Sequence, residues 1–182
     1  MLTSWAIRNC ALILLRSLID CLFGTHESKA VTEAGWDGRS IKLNYDEYPT
    51  LPVLLLKLLR TETAIPSSPQ IPTIGMIESV FPALDIIRRA GPPPTHRDEV
   101  YRYVSKHLGS KLWHVREIAA RTICTMMLHN NWLSAIVELL ESARESANRL
   151  HGVLMTVKFT IERRTSLNIL STTGKYNQNS RL

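Results

Sequence analysis

No stretch of this sequence approaches the roughly 20 consecutive apolar residues that a membrane-spanning helix requires. Cysteine is scarce and odd in number: Cys10, Cys21 and Cys124 show no Cys-x-x-Cys spacing. That argues against a disulfide framework and against a zinc site, and it fits a reducing, cytoplasmic setting. Equally absent are a Gly-rich phosphate loop, a His-Glu-x-x-His helix, a Gly-x-Ser-x-Gly turn and a Gly-rich loop for S-adenosylmethionine. An enzyme needs converging polar groups, and none is evident. No catalytic residue, cofactor or metal is therefore expected.

What is present is an ordinary globular composition. The 182 residues are 45% apolar and 21% charged, enough chain to bury a substantial core. The net charge of +6 permits contact with RNA or with an acidic partner without establishing either.

The strongest pattern is a recurring helix. From Trp113 to Met126, the residues Val115, Ile118, Ala119, Thr122, Ile123 and Met126 recur at three- and four-residue steps and share one face. Glu117 and Arg121 lie four apart on another side, acid before base, an orientation that supports a helix. Ser110 precedes it as a candidate cap. The same frame, Trp-x-(Ile/Val)-Arg-x-x-Ala-x-x-x-(Leu/Ile), occurs at Trp5, Arg8 and Ala11 and again at Trp113, Arg116 and Ala119. A repeated helix type marks a stack in which each unit buries its apolar face against its neighbours. The (Ile/Val)-Arg-x-x-Ala core resembles the second helix of a HEAT repeat. At the N-terminus, Arg8 and Arg16 flank the apolar run Cys10–Leu15, as in a targeting presequence. The run is short, and its recurrence at Trp113 favours a structural helix.

Taken in order, the first helix should span Trp5–Phe23, with Ile7, Ala11, Leu14, Leu15, Leu18 and Leu22 inward and Gly24 as stop. It begins without a partner, which suggests a chain cut from something longer. Thr25–Tyr48 is a long loop; Trp36, Tyr45 and Tyr48 beside Lys29, Arg39 and Lys42 either stack on nucleic-acid bases or, by preference, pin the loop to the helices. A second helix, Pro49–Thr61, is apolar nearly all round and should be sandwiched. A Pro- and Ser-rich linker precedes a third helix, Thr73–Ala90, which Pro82 should kink or restart and Gly91-Pro92-Pro93-Pro94 should end. Thr95 should cap a fourth helix running to Gly109. The fifth is the Trp113 helix, the sixth runs from Asn131 to Ser146, and the seventh from Ala147 to Arg164 buries Leu150, Val153, Leu154, Val157 and Ile161. The polar residues 166–182 should be a disordered tail behind a 1–165 helical-repeat segment. The expected fold is all-α, an armadillo/HEAT-like α-solenoid of antiparallel helix pairs.

Candidate binding residues are basic. Arg88, Arg89, Arg97, Arg102 and Lys106 cluster along the junction of the third and fourth helices and form a candidate strip for RNA or a partner; a solvated helix face, with Arg88 and Arg89 facing a helix C-terminus, is the plainer role. Arg8 and Arg116 should pack their stems between layers and pair with an acid of the neighbouring repeat. A nucleophile–base pair of Cys124 with His129 or His114 is chemically conceivable, but a cysteine in the middle of a helix beside its apolar face is ordinarily a small buried hydrophobe. His107, His114 and His151 fall on different helices and suit packing or surface roles better than a metal site.

Four blocks carry a family likeness: Trp5-Ala6-Ile7-Arg8-Asn9-Cys10-Ala11, Glu78-Ser79-Val80-Phe81-Pro82-Ala83-Leu84-Asp85, Trp113-His114-Val115-Arg116-Glu117-Ile118-Ala119-Ala120-Arg121, and Asn148-Arg149-Leu150-His151-Gly152-Val153-Leu154. Together, across about residues 4–164, the chain resembles the THADA family, its fungal members most. The resemblance implies a non-catalytic solenoid that positions tRNA and an FtsJ-type methyltransferase, which adds a 2′-O-methyl group to an anticodon-loop ribose. The partner would supply S-adenosylmethionine and the catalytic residues. The family's Arg-Arg-Ser-Ala-Gly signature is absent; Arg88-Arg89-Ala90-Gly91 echoes it in a different block. The resemblance thus points to a fragment or truncated member. The competing reading is a general HEAT-type protein–protein adaptor with no RNA role.

Overall fold

The computed structural model describes residues 2–23, 35–38, 40, 42–60, 80–128 and 132–179; side chains at 2–5, 8, 9, 12, 16, 22, 145 and 167–179 lie outside that description. Among the described residues the chain is helical without strands. The helices are α1 (Leu2–Phe23), α2 (Leu51–Arg60), α3 (Val80–Ala90), α4 (Arg97–His107), α5 (Trp113–Met127), α6 (Trp132–Ser142) and α7 (Ala147–Asn179).

They stack in two layers. Arg97 at the start of α4 donates to the carbonyl of Met126 at the end of α5 (3.1 Å), so these two run antiparallel. His107 at the end of α4 meets the Leu59 carbonyl near the end of α2, so α2 and α4 run parallel. Arg116 reaches His151 and Arg164 reaches the Leu128 carbonyl, which makes α5 and α7 parallel. Thr122 of α5 donates to the Leu84 carbonyl of α3. The result is an all-α solenoid of antiparallel pairs, α2/α3, α4/α5 and α6/α7, with α1 packed on α3. The expected architecture holds.

The core lies between the layers, where Leu55, Leu59, Leu84, Ile87, Val100, Val104, Val115 and Ile123 are fully buried. Each such side chain contributes roughly 1.5–3 kcal/mol by leaving water. On α5 the expected stripe is inward, with Ile118 only partly covered.

Several expectations change. Among the described side chains of α1, Ile19 is buried with Leu15 beside it, while Ile7, Ala11, Leu14 and Leu18 are exposed, because α1 packs chiefly against α3 among the described helices. Leu22 lies outside the described side chains. Helix α2 is not sandwiched all round: Val53 and Leu54 face outward. In α3 Pro82 is the third residue of the described helix, which runs on to Ala90; residues 73–79 of the expected helix lie outside the description. Thr95 does not cap α4. It sits in a short 3₁₀ turn, Pro94–His96, and its hydroxyl meets the His96 ring, because the prolines delay helical geometry to Arg97. Ser110 accepts from the N–H of Leu112, the residue at the N-cap position of α5, whose own side chain makes no cap bond.

Helix α6 ends at Ser142 and tightens into a 3₁₀ turn, Ala143–Glu145. Helix α7 buries Gly152, Val153, Thr156 and Thr160, leaving Leu150, Leu154 and Ile161 exposed. Its threonines satisfy their hydroxyls within the helix, Thr156 on the Gly152 carbonyl and Thr160 on Thr156, so a slim polar face can be buried. The helix also continues past Arg164 to Asn179, into the stretch expected to be disordered. Thr165 and Ser166 bond back to the carbonyls of Ile161 and Glu162, which accommodates such residues in a helix.

The loop before α2 is tied to the stack by its aromatics. The Trp36 backbone N–H donates to the Arg88 carbonyl (2.6 Å) and its indole to the Ser40 carbonyl (2.7 Å). Gly91, at φ +86°, lies flat under the indole; a Cβ there would stand 2.7 Å from the ring. The buried Tyr45 hydroxyl donates to the Gly91 carbonyl (2.6 Å). Tyr48 is exposed, and Lys29 and Arg39 lie outside the described residues.

Burial pushes the Tyr45 phenol well above its usual range. Since the folded pKa exceeds the unfolded one, its contribution is fully present below about pH 10 and is lost as the pH rises beyond that, by about 1.4 kcal/mol per unit. Tyr45→Phe should cost about 1 kcal/mol at pH 8 and lessen the alkaline loss. Urea titrations of both chains at pH 8 and 11 measure the difference; equal losses in both would refute it.

Candidate partner-binding surface

Arginines tie one helix pair to the next, and most reach backbone carbonyls. The last carbonyls of a helix lack intrahelical partners and carry the negative end of its dipole, so a guanidinium is well suited to them. Arg116, on α5, is buried; it donates to the carbonyls of Ser110 (2.7 Å) and Lys111 (3.1 Å) and to Nδ1 of His151 on α7 (3.2 Å). Its partners are thus carbonyls and an imidazole, not the acid expected. Arg149 at the start of α7 donates to the Ser105 carbonyl and to the Ser142 hydroxyl (2.9 Å), bridging the ends of α4 and α6. Arg164 covers the Leu128 carbonyl and lies 4.8 Å from the Trp132 ring.

The five candidate cations separate by environment. Arg88 pairs with Asp85 (2.7 Å); Arg89 pairs with Asp20 of α1 (3.0 Å) and Asp85 (3.3 Å), their side chains only 11% and 15% exposed. They lock α1 to α3. Arg97 closes the C-terminus of α5. Arg102 and Lys106 project from α4; the Arg102 side chain is 65% exposed. Around Tyr103 they meet Arg60 of α2, a residue the sequence reasoning missed: both guanidinium carbons and the Lys106 ammonium stand 5.3 Å from the ring centroid. Arg60 also donates to the Tyr103 hydroxyl (3.1 Å) and pairs with Glu99 (2.5 Å). No spacing rule links Arg60 to Arg102; their encounter depends on α2 and α4 running parallel. A faint signal was available in the basic last turns of both helices.

Next to this cluster α4 and α6 do not close on one another as α2 and α4 do. A cleft of about 650 Å³ remains, walled by Arg102, Lys106, Arg149 and Glu138. A second groove, about 620 Å³, runs between α3 and α5 over Phe81 and Ile118, with Asp85, Arg88, Glu117 and Arg121 along it. There Glu117 pairs with Arg121 (3.1 Å), so its charges are largely matched internally.

Of the frame positions, Trp113 is 47% exposed and meets His114 edge-on at 4.8 Å, and Ala119 is fully buried. Ala11 is exposed, since no described helix covers that side of α1. The side chains of Trp5 and Arg8 lie outside the described set. Cys124 is buried, and desolvation pushes its thiol above the usual range, which suits a packing residue and not a thiolate nucleophile. His129 lies outside the described residues. His107 is buried and donates from Nε2 to the Leu59 carbonyl (3.0 Å). Among the described residues no His, Cys, Asp and Glu group is arranged to hold a metal, and no helix is long and apolar enough to cross a membrane.

Stacked helix pairs, arginine ties at helix ends and open grooves define a helical-repeat scaffold. The chain belongs to the family described as Trm732, C-terminal TPR repeats, whose model matches residues 8–160. It is 29% identical over 160 residues to the tRNA (32-2′-O)-methyltransferase regulator trm732 of Schizosaccharomyces pombe, a match covering 85% of this chain and 11% of that protein. No solved structure matches the chain. The family is described by TPR repeats where the Trp-Arg-Ala frame pointed to HEAT; both are stacks of antiparallel helix pairs.

Proposed function

We propose that this chain is a non-catalytic scaffold segment of the machinery that 2′-O-methylates a ribose in the tRNA anticodon loop, a THADA-type regulator acting in the cytoplasm. In this reading it helps to position tRNA and an FtsJ-type methyltransferase, and that partner supplies S-adenosylmethionine and the reacting groups. The observation that carries the proposal is the family match across residues 8–160, together with the likeness to a yeast protein described as a tRNA (32-2′-O)-methyltransferase regulator. The exposed cations Arg60, Arg102 and Lys106 supply a surface fit for RNA. Exposed free thiols at Cys10 and Cys21 suit a reducing compartment.

Binding of tRNA by the chain, with and without the methyltransferase, over a salt series tests the proposal. Affinity that falls steeply with salt is the expected result. Stable association with the enzyme without any gain in tRNA affinity would instead favour a purely protein-binding adaptor, a role for which the charge-matched groove between α3 and α5 is suited.

A further inference from the structure

We propose that the cleft between α4 and α6 holds a phosphate of an RNA backbone, an inference that rests on the tRNA reading above. Its walls carry the cations Arg102, Lys106 and Arg149 against the one carboxylate of Glu138, so the cleft has an excess of positive charge. Arg149 is already fixed by the Ser105 carbonyl and the Ser142 hydroxyl. Its ordering is therefore completed on folding, and an incoming anion bears little of that entropy. Ser146 also lines the cleft, and its hydroxyl accepts the Arg149 N–H at the start of α7. That places the positive end of a long helix in the wall, where an anion is favoured.

Arg102 and Lys106 are the adaptable partners. Both are exposed and line the cleft, and the Tyr103 ring at 5.3 Å gathers their charges at this end of α4. Glu99 approaches Arg102 only to 3.8 Å, too far to consume its donors.

The ligand is a polymer rather than a small anion because the cations continue beyond the cleft. Lys57 and Arg60 occupy the last turn of α2, as Lys106 does in α4. Successive helix ends stand about 8–10 Å apart in such packing, so one edge of the solenoid presents spaced positive charge to a chain of phosphates.

The experiment uses the full chain, fluorescently labelled tRNA and anisotropy between about 50 and 300 mM salt, where counterion release is readable. Arg102→Gln and Lys106→Gln should each weaken binding about five- to eightfold near 0.1 M salt and reduce the slope of log K against log salt by about 0.7–0.9. Lys158→Gln, an exposed α7 residue away from the cleft, is the control and should change neither. Thermal melts superimposing on the parent chain show that the variants fold. If the parent binds tRNA but the cleft variants behave like the control, or if the control weakens binding as much as they do, the cleft assignment is overturned and the tRNA reading stands. A parent chain that binds no tRNA, alone or with the methyltransferase, overturns both.

Discussion

Gly152→Val should destabilise the chain by about 3 kcal/mol and lower its melting temperature by roughly 6–12 °C. Helix propensity alone argues the opposite, since replacing a glycine inside a helix by a better former gains up to about 1 kcal/mol. Here the glycine is where α7 touches the end of α4. A Cβ would enter the shell of the Leu108 carbonyl oxygen and stand 2.9 Å from that residue's carbonyl carbon and Cα. These are backbone atoms, and Leu108 is itself fully buried, so neither side can yield without separating the helices. Gly152→Ala should show a smaller loss of the same sign. Calorimetry decides the matter: a melting temperature equal to or above that of the parent would show that α7 does not approach α4 so closely.

The second large effect is expected at Arg116. Arg116→Met keeps the length of the stem but leaves the Ser110 and Lys111 carbonyls and His151 without their donor. Each bond to a charged donor contributes about 1.5–3 kcal/mol, and losing the buried contact to the Ser110 carbonyl adds to the cost, while water can replace the donor at the exposed Lys111 and His151 and a buried methionine recovers some apolar burial. A net loss of about 3 kcal/mol is expected, read from urea denaturation at pH 7. Arg116→Lys should recover little of it, because one ammonium cannot address three acceptors arranged around a planar fork. Full recovery by lysine would mean that charge alone, and not the fork geometry, holds the layers together.

Much of the scaffold was legible because it is local. The three- and four-residue steps on α5 turn inward as expected, and the prolines after Ala90 end α3 where the sequence says they must. The preference for Trp36 and Tyr45 as pins of the loop is met by the Trp36 ring packed on Gly91, its backbone bond to Arg88 and the Tyr45 bond to Gly91. Burial on the outer helices was not legible. Leu14, Leu18, Leu150 and Leu154 obey the same periodicity as the true core, and periodicity does not say whether a neighbour stands on that side. The basic cluster was half legible for a related reason. Arg102 and Lys106 share a helix, whereas Arg60 is distant in the chain and Arg88 and Arg89 are taken up by Asp85 and Asp20.

The sequence by itself determined the helical class, the punctuation of the stack and the recurring Trp-Arg-Ala helix, because propensity, proline geometry and hydrophobic period act over a few residues. Only the tertiary structure decided which arginines are spent on helix ends and which remain available. It also decided that Gly152 is a point of backbone contact and that α4 and α6 leave a cationic cleft. Those outcomes depend on contacts between residues some forty positions apart, which only the packing of whole helices sets.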